Sequence, residues 1–460
     1  MTQLAASNSA ASRDIEFHLH SQTNPSQFEA RGPLMVARGD GIRIFDSAGK
    51  SYIDAMAGLW CASLGFNNKR LAAAATKQYA ELGFYHTFFQ RTHAPAAELA
   101  EKLVQLTGMT GGKAYFATSG SEANETMVKL AWVYHTVHGK PTKRKVIARD
   151  RSFHGSTIAA ASMCGLEFMH REFGLPLPGF LHTLCPSPYR GMLEGESEAA
   201  FVERLATELE KMILREGPDT IAAFIAEPIH AGGGIIVPPQ KYFTRIQEVL
   251  AKYDILCLAD EIVCGFARTG NWFGKETVGM KPDMMSLAKG LSSSYFPISA
   301  VVFAPKIYEA VARFNKEGGA FGHGFTNSGH PVGVAVALEA IKIYEEMEVV
   351  PHVRKMGARL RQKFEAMADK SPIVGEVRGA GLMLGIEIVA DKQTRKPFAP
   401  ALQAGPTFDG IAYENGLVAR CMGDVLGFSP PLIVTESDVD EIAHLCEISL
   451  SALEKHLAKH

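Results

Sequence analysis

The sequence predicts an α/β protein, with a large domain built on a mostly parallel central sheet and a smaller α+β domain assembled from the N- and C-terminal segments. Three observations predict it. First, five short runs (Lys113–Ala117, Lys145–Ala148, Ile221–Ala226, Ile255–Ala259 and Met284–Ala288) are apolar at successive positions, as strands covered on both faces are. Second, helix-length stretches separate these runs, which suits the crossovers that parallel strands need. Third, the texture changes after Pro331 to long helical stretches over about 332–370, strands near 374–389 and a last helix from about Thr435.

Taken in chain order, Gly41–Asp46 and Ser51–Asp54 flank the turn residues Ser47-Ala48-Gly49-Lys50, the pattern of two short strands around a glycine turn. A small N-terminal sheet is therefore expected. A helical stretch from about Glu122 to His135 follows the first apolar run. Residues 186–198 are polar, carry Gly and Pro, and read as a surface loop. The final helix opens on Thr435-Glu436-Ser437-Asp438, which resembles a capping box. The expected division is 1–70 for the N-terminal segment joining the small domain, 71–330 for the large domain and 331–460 for the C-terminal small domain.

A chain of 460 residues with 47% hydrophobic content can build a substantial core. Its 47 Lys+Arg against 49 Asp+Glu leave a formal charge of -2, so no strong field attracts nucleic acid or an anionic membrane, and a small-molecule partner is expected. The seven cysteines are scattered, without a CxxC pair or zinc-like spacing, and read as reduced thiols rather than as a disulfide framework or metal site. The Ser/Ala/Asn-rich start, Met1 to about Asp14, lacks signal-peptide organisation, and no segment approaches the roughly 20 apolar residues of a membrane span. The expectation is a soluble, cytoplasmic protein.

Ligands of open α/β sheets bind beyond the carboxyl ends of the strands, so the residues ending each apolar run are the ones to inspect. Lys113–Ala117 leads into Thr118, Ser119, Gly120 and Ser121 at the start of a helix, where free N–H groups and the helix dipole suit a phosphate; taken alone this is also an ordinary serine cap. Ile255–Ala259 ends in Asp260-Glu261, an acidic pair expected to meet a cationic partner because a lone buried carboxylate is costly. Met284–Ala288 ends in Lys289, an ammonium that must be paired, deprotonated or covalently used. Asp260 and Lys289 stand 29 residues apart, about one crossover unit. Together they offer an acid partner for a pyridine nitrogen and a lysine for an aldehyde cofactor. His154 and Glu227 follow the remaining runs and face the same crevice, although either alone reads as structural.

Two other enzyme classes fail on spacing. A P-loop NTPase would explain Ile255–Glu261 as a Walker B strand, but the nearest phosphate loop, Gly108 to Ala114, has one residue too few between its glycines, lacks the magnesium-binding hydroxyl and precedes a strand. Gly379-Ala380-Gly381-Leu382-Met383-Leu384-Gly385 misses the dinucleotide-binding glycine spacing and leads into a strand-like run, so it reads as a glycine turn.

The chain from about residue 30 onward resembles the class III aminotransferases, fold-type-I enzymes dependent on pyridoxal 5'-phosphate (PLP), and among them the omega-amine:pyruvate transaminases. The resemblance rests on Asp54-Ala-Met-Ala-Gly58-Leu-Trp60-Cys61, Ser119-Gly-Ser-Glu-Ala-Asn124, Phe153-His-Gly-Ser-Thr157, Ala226-Glu-Pro228, Ala259-Asp-Glu-Ile-Val263, Ala288-Lys-Gly290 and His323-Gly-Phe-Thr326. It implies that Lys289 forms the Schiff base and Asp260 partners the pyridinium nitrogen. Ser119, Gly120 and Ser121 would cradle the phosphate, joined by Thr326 of a second subunit. Phe153 and Ile262 would bracket the ring, with His154 and Glu227 beside the cofactor. Trp60 and Phe153 would wall the substrate pocket, and Arg420 would bind an acceptor carboxylate and swing away for an uncharged amine. Two departures bear on pocket shape: Phe153 and Asn327 stand where tyrosine is frequent.

The resemblance further implies a homodimer, or a tetramer of dimers, with active sites at the subunit interface. The reaction would be ping-pong transfer from an amine or omega-amino acid donor to a keto acid, with pyruvate expected. No metal is implied. Another PLP activity on the same scaffold, an aminomutase or decarboxylase, differs in its products; a non-catalytic binding protein of this fold has no use for both Lys289 and Asp260.

Overall fold

The computed structural model describes residues 9–459, apart from the side chains of residues 317 and 318; the first eight residues of the Ser/Ala/Asn-rich start lie outside the described residues. The strands, in chain order, are β1 (Val36–Asp40), β2 (Arg43–Asp46), β3 (Ser51–Asp54), β4 (Lys113–Ala117), β5 (Lys145–Arg149), β6 (Phe180–Thr183), β7 (Ile221–Ala226), β8 (Leu256–Asp260), β9 (Met284–Leu287), β10 (Ser299–Phe303), β11 (Val374–Ala380), β12 (Met383–Ile388), β13 (Leu417–Val418), β14 (Arg420–Met422) and β15 (Val425–Phe428). The central sheet has seven strands in the order β4-β10-β9-β8-β7-β5-β6. Strands β5 to β9 run parallel to one another, while β10 is antiparallel to both β4 and β9.

Successive side chains of these strands point to opposite faces and are buried on both, as in a sheet covered on each side. Val146, Ile225, Leu258 and Val301 pack on one side with Met127, Leu130 and Ala131 of the helix Gly120–Val137. Ile147, Phe224, Cys257 and Met285 face the other side, in the cluster that includes Leu205 and Leu209 of Glu198–Glu216 and Ile246 and Leu250 of Tyr242–Lys252. The five apolar runs are thus all strands of one sheet. The two strands the pattern did not reveal are β6, a short edge strand, and β10. The β9–β10 connection, residues 288–298, is shorter than the dozen or more residues a parallel crossover needs, so the chain turns back and pairs antiparallel. Lys289 begins that turn, in the 3-10 turn Lys289–Leu291.

The expected N-terminal hairpin is β2–β3, and its sheet is completed from the far end of the chain by β13, which pairs parallel with β3 through Leu417 with Ile53 and Val418 with Asp54. The remaining sheet has the order β11-β12-β15-β14. Gly379–Gly385 is a hairpin: Gly381 has φ +54, and a Cβ there would lie 2.5 Å from the Arg268 carbonyl oxygen. Long helices cover Pro331–Glu346 and Val349–Lys370, and the last, Glu436–Leu457, opens on a capping box made by Thr435 and Asp438. Residues 186–198 are less of a loop than expected, because Pro188–Gly191 forms a helical turn within them.

Candidate active site

Five strand ends of the central sheet, those of β4, β5, β7, β8 and β9, supply the crevice. Asp260 closes β8 at 3% exposure. Its Oδ2 accepts hydrogen bonds from His154 Nδ1 and Asn124 Nδ2, both at 2.8 Å, and its Oδ1 accepts from the Ile262 N–H at 3.1 Å. The Asn124 amide also donates to the His154 carbonyl at 2.7 Å, so the helix Gly120–Val137 and the loop after β5 hold the same carboxylate. A charge-assisted network of this kind fixes a side chain that burial alone would disfavour as an anion. His154 therefore stands behind Asp260 and acts through it.

The expected cationic partner for Glu261 is corrected. Its carboxylate accepts the N–H groups of Gly274 at 2.8 Å and Lys275 at 2.6 Å, and no ion pair joins it to a lysine or arginine among the described residues. Burial nevertheless pushes its pKa up to about 8, against the lowering by those two bonds. The short helix Gly274–Val278 supplies donors where a cation was expected.

At the end of β4, Ser119 caps the helix Gly120–Val137. Its hydroxyl accepts the Glu122 N–H at 3.2 Å, and the Glu122 carboxylate accepts the N–H groups of Thr118 and Ser119 at 2.7 and 3.1 Å. The serine cap and the anion cradle are therefore not alternatives. The cap occupies Ser119, while the N–H groups of Gly120 and Ser121, at the first two helical positions, have no partner among the described residues. Ser121 Oγ accepts from the Ser156 N–H at 3.0 Å, which leaves its proton to donate. A Cβ on Gly120 would lie 2.6 Å from Ile262 Cδ1, so the isoleucine packs against the cradle's first residue.

Lys289 has φ 45, a left-handed conformation uncommon for a residue with a side chain. No carboxylate among the described residues pairs with it, and its pKa is lowered, chiefly by burial, despite the opposing fields of Cys61, Asp260 and Glu227. An amine held toward its neutral form is what nucleophilic and proton-transfer chemistry requires. Glu227, 4% exposed after β7, accepts the N–H groups of Phe153 at 3.0 Å and Ala231 at 2.9 Å, and burial raises its pKa. It thereby fixes the backbone that carries Phe153.

The groups around the rim are held differently. Trp60 has φ 64 and is packed at 3% exposure among Met56, Ile229, Ala231, Ile235 and Met383. Arg420 lies on β14, paired with Gly427. Its guanidinium is half-buried, and burial lowers its pKa. Asp409 is near enough to favour its charge, but no carboxylate bonds it among the described residues. Its field reaches Lys289. Thr326 is exposed on the loop before Pro331. That loop is tied back to the Gly120–Val137 helix by His323, whose Nε2 is 2.9 Å from Thr126 Oγ1 and Nδ1 2.9 Å from Lys129 Nζ.

A family profile described as Aminotransferase class-III matches residues 26–449. The chain belongs to that family. The omega transaminase from Pseudomonas jessenii in complex with PMP superposes with a TM-score of 0.96 at 48% identity, over 98% of this chain and 99% of that one. A structure described as a transaminase with L-ala gives a TM-score of 0.90 at 48% identity, over 92% of this chain and 100% of that one. Among curated relatives, the mitochondrial gamma-aminobutyrate transaminase 1 of Oryza sativa subsp. indica is 46% identical over 93% of this chain and 83% of its own length. The chloroplastic gamma aminobutyrate transaminase 3 of Solanum lycopersicum is 47% identical over 89% and 79%.

Class III aminotransferases use PLP, and the crevice of this one fits it. Two free N–H groups meet the needs of a phosphate, a fully supported carboxylate those of a pyridine nitrogen, and a lysine depressed by burial those of an aldehyde. Sequence reasoning missed Asn124 as part of the site. Its signal was present: a polar residue four positions after Gly120, on the same helical face. No described helix is long and apolar enough to cross a membrane.

Proposed function

We propose that this class III aminotransferase moves the amino group of an amine or omega-amino acid to pyruvate, in a homodimer whose two subunits complete each other's sites. The observation that carries the substrate reading is Arg420, a half-buried guanidinium without a bonded carboxylate among the described residues. A planar cation left in that state suits a substrate carboxylate, which it would bind through two parallel hydrogen bonds. The keto acid brings that carboxylate. The plant relatives named for gamma-aminobutyrate favour a donor that brings one too, and because the two substrates enter in turn, one arginine can serve both.

Bound PLP supplies an electron sink for the proton shift at the substrate carbon. Lys289 would take that proton as base and return it as acid. Asp260 would hold the pyridine nitrogen protonated, with Asn124 and His154 holding Asp260. The N–H groups of Gly120 and Ser121 would bind the phosphate, with Thr326 of the second copy beside them. Ile262 and Phe153 would bracket the ring, and Trp60 would wall the pocket. The same reading divides the chain at residues 70 and 330, supported by the separate sheets on either side of the central one, and takes the seven free cysteines as marks of a reducing, cytoplasmic compartment, although the plant relatives are named mitochondrial or chloroplastic.

The test is a donor panel with pyruvate, scored by alanine formed. Gamma-aminobutyrate, beta-alanine and a simple uncharged amine separate the donor classes. Glutamate formed from 2-oxoglutarate, with no alanine from pyruvate, would reject the proposed acceptor.

A further inference from the structure

The N-terminal arm, far in sequence from the catalytic motifs, places three metal-ligating side chains together. Asp14 lies in the helix Ala10–Phe17 and His18 caps its C-terminus, four positions on and therefore on the same face. The backbone turns extended at His18, with φ -119 and ψ 114; residues two apart in an extended chain share a side, which returns His20 to Asp14. The result is an Asp-x3-His-x-His pattern that uses helical spacing for one pair and extended spacing for the other. Asp14 Oδ1 is 2.9 Å from His18 Nδ1, and Asp14 Oδ2 is 2.8 Å from His20 Nε2. The three candidate ligand atoms lie within 4.8 Å of one another.

From this geometry we propose that Asp14, His18 and His20 form a binding site for a divalent transition metal such as zinc, with three protein ligands and a fourth position open to water. Tetrahedral zinc, with bonds of about 2.0–2.2 Å to nitrogen and oxygen, spaces its ligand atoms by about 3.3–3.5 Å. The observed spacings approach that after small rotations of these side chains, of which His18 is exposed and Asp14 and His20 are partly buried. Two imidazoles and one carboxylate form a donor set suited to zinc, nickel or copper, and unsuited to magnesium or calcium, which take oxygen ligands. Glu16 and Glu29 line a cleft together with His18 and His20 and add negative charge around it.

The arm also has a use for a staple. Neither the helix Ala10–Phe17 nor the next, Pro25–Arg31, has a buried residue, and helices this short do not hold by themselves. His20 packs against Phe28 of the second helix, with ring centroids 4.2 Å apart and the rings tilted by 35°. A metal shared by Asp14, His18 and His20 would therefore tie the first helix to the second, supplying by coordination what the arm lacks in apolar burial.

The test uses the PLP-loaded full chain, treated with a chelator and desalted, then titrated with Co2+ by visible absorption and with Zn2+ in competition with a chromophoric chelator. The expected result is one metal per chain, with affinity at least tenfold weaker in His20→Ala and in Asp14→Asn and unchanged in His138→Ala, an exposed histidine elsewhere. Zinc should also slow proteolytic cleavage within residues 9–31 of the parent protein and leave the rate in His20→Ala unaltered. Metal uptake by the parent equal to that of a His18→Ala/His20→Ala double variant would overturn the proposal and leave Asp14 as a plain hydrogen-bond acceptor for two histidines.

Discussion

The floor of the crevice and its rim treat their polar groups in opposite ways. On the floor, Asp260 holds three hydrogen bonds from its own chain and Glu227 two, so these groups are oriented before any ligand arrives. At the rim, Arg420 is half-buried with no bonded carboxylate among the described residues, and Thr326, proposed for the crevice of the opposite subunit, is exposed. Groups supported from behind suit a cofactor bound in one pose through every turnover, because their orientation is already fixed when it binds. Groups left without partners suit what comes and goes, whether a substrate carboxylate or a second subunit. Floor substitutions should therefore impair every substrate alike, and rim substitutions should discriminate.

The largest effect is expected at Lys289. Lys289→Ala should lose turnover in both half-reactions, by roughly 10²- to 10⁴-fold from proton transfer alone, and borohydride should fix the cofactor to the peptide containing Lys289 in the parent protein. Mass spectrometry placing the label on another lysine would remove Lys289 from the floor.

Next comes Asp260→Asn, which would take the charge from the proposed buried pair with the pyridine nitrogen. Breaking such a pair costs about 3–5 kcal/mol, or roughly 10²- to 5 × 10³-fold, read as weaker PLP retention and slower single turnovers with every donor. His154→Ala and Asn124→Ala, acting through Asp260, should shift the same readouts in the same direction and less. Losses confined to one donor would contradict the division between floor and rim.

Arg420→Ala should do the reverse and discriminate. A hydrogen bond to a charged group is worth about 1.5–3 kcal/mol, or on the order of 10- to 150-fold, and that loss should fall on the half-reaction with pyruvate and spare the half-reaction with an uncharged amine. With a carboxylate-bearing donor both halves should fall. Equal losses with the uncharged amine would make Arg420 structural.

The smallest effect is expected at Thr326. One neutral hydrogen bond contributes about 0.5–1.5 kcal/mol, so Thr326→Ala should weaken PLP retention by roughly 2- to 12-fold. Mixing it with Lys289→Ala protomers locates the residue: if Thr326 serves the opposite subunit, each heterodimer keeps one site free of both substitutions. Unchanged PLP retention in Thr326→Ala would take Thr326 out of the cofactor site.

Much of this was legible without coordinates, for identifiable reasons. The five strands that carry the crevice are apolar on both faces, and helices of suitable length lie between them, so the parallel sheet and its carboxyl-end residues could be read from pattern alone. Lys289 and Asp260 stood out because a charge ending a buried run requires an explanation. Strand β10 escaped because its direction depends on the length of the connection after Lys289 rather than on its own residues. Asn124 escaped because an amide in a helix looks like any polar surface position until the helix is placed.

By itself, then, the sequence determined which residues are buried, where phosphate-ready N–H groups begin a helix, and which family the motifs resemble. Those properties are set by side-chain chemistry at short spacing. Only the tertiary structure decided how the charges are balanced: that Glu261 meets two backbone N–H groups instead of a cation, that His154 serves Asp260, and that Arg420 is left without a bonded carboxylate. The physical reason is that a buried charge takes whatever donor the fold brings within about 3 Å, and those donors come from segments far apart in the chain: Asn124 lies 136 residues from Asp260, a distance over which no local pattern carries information.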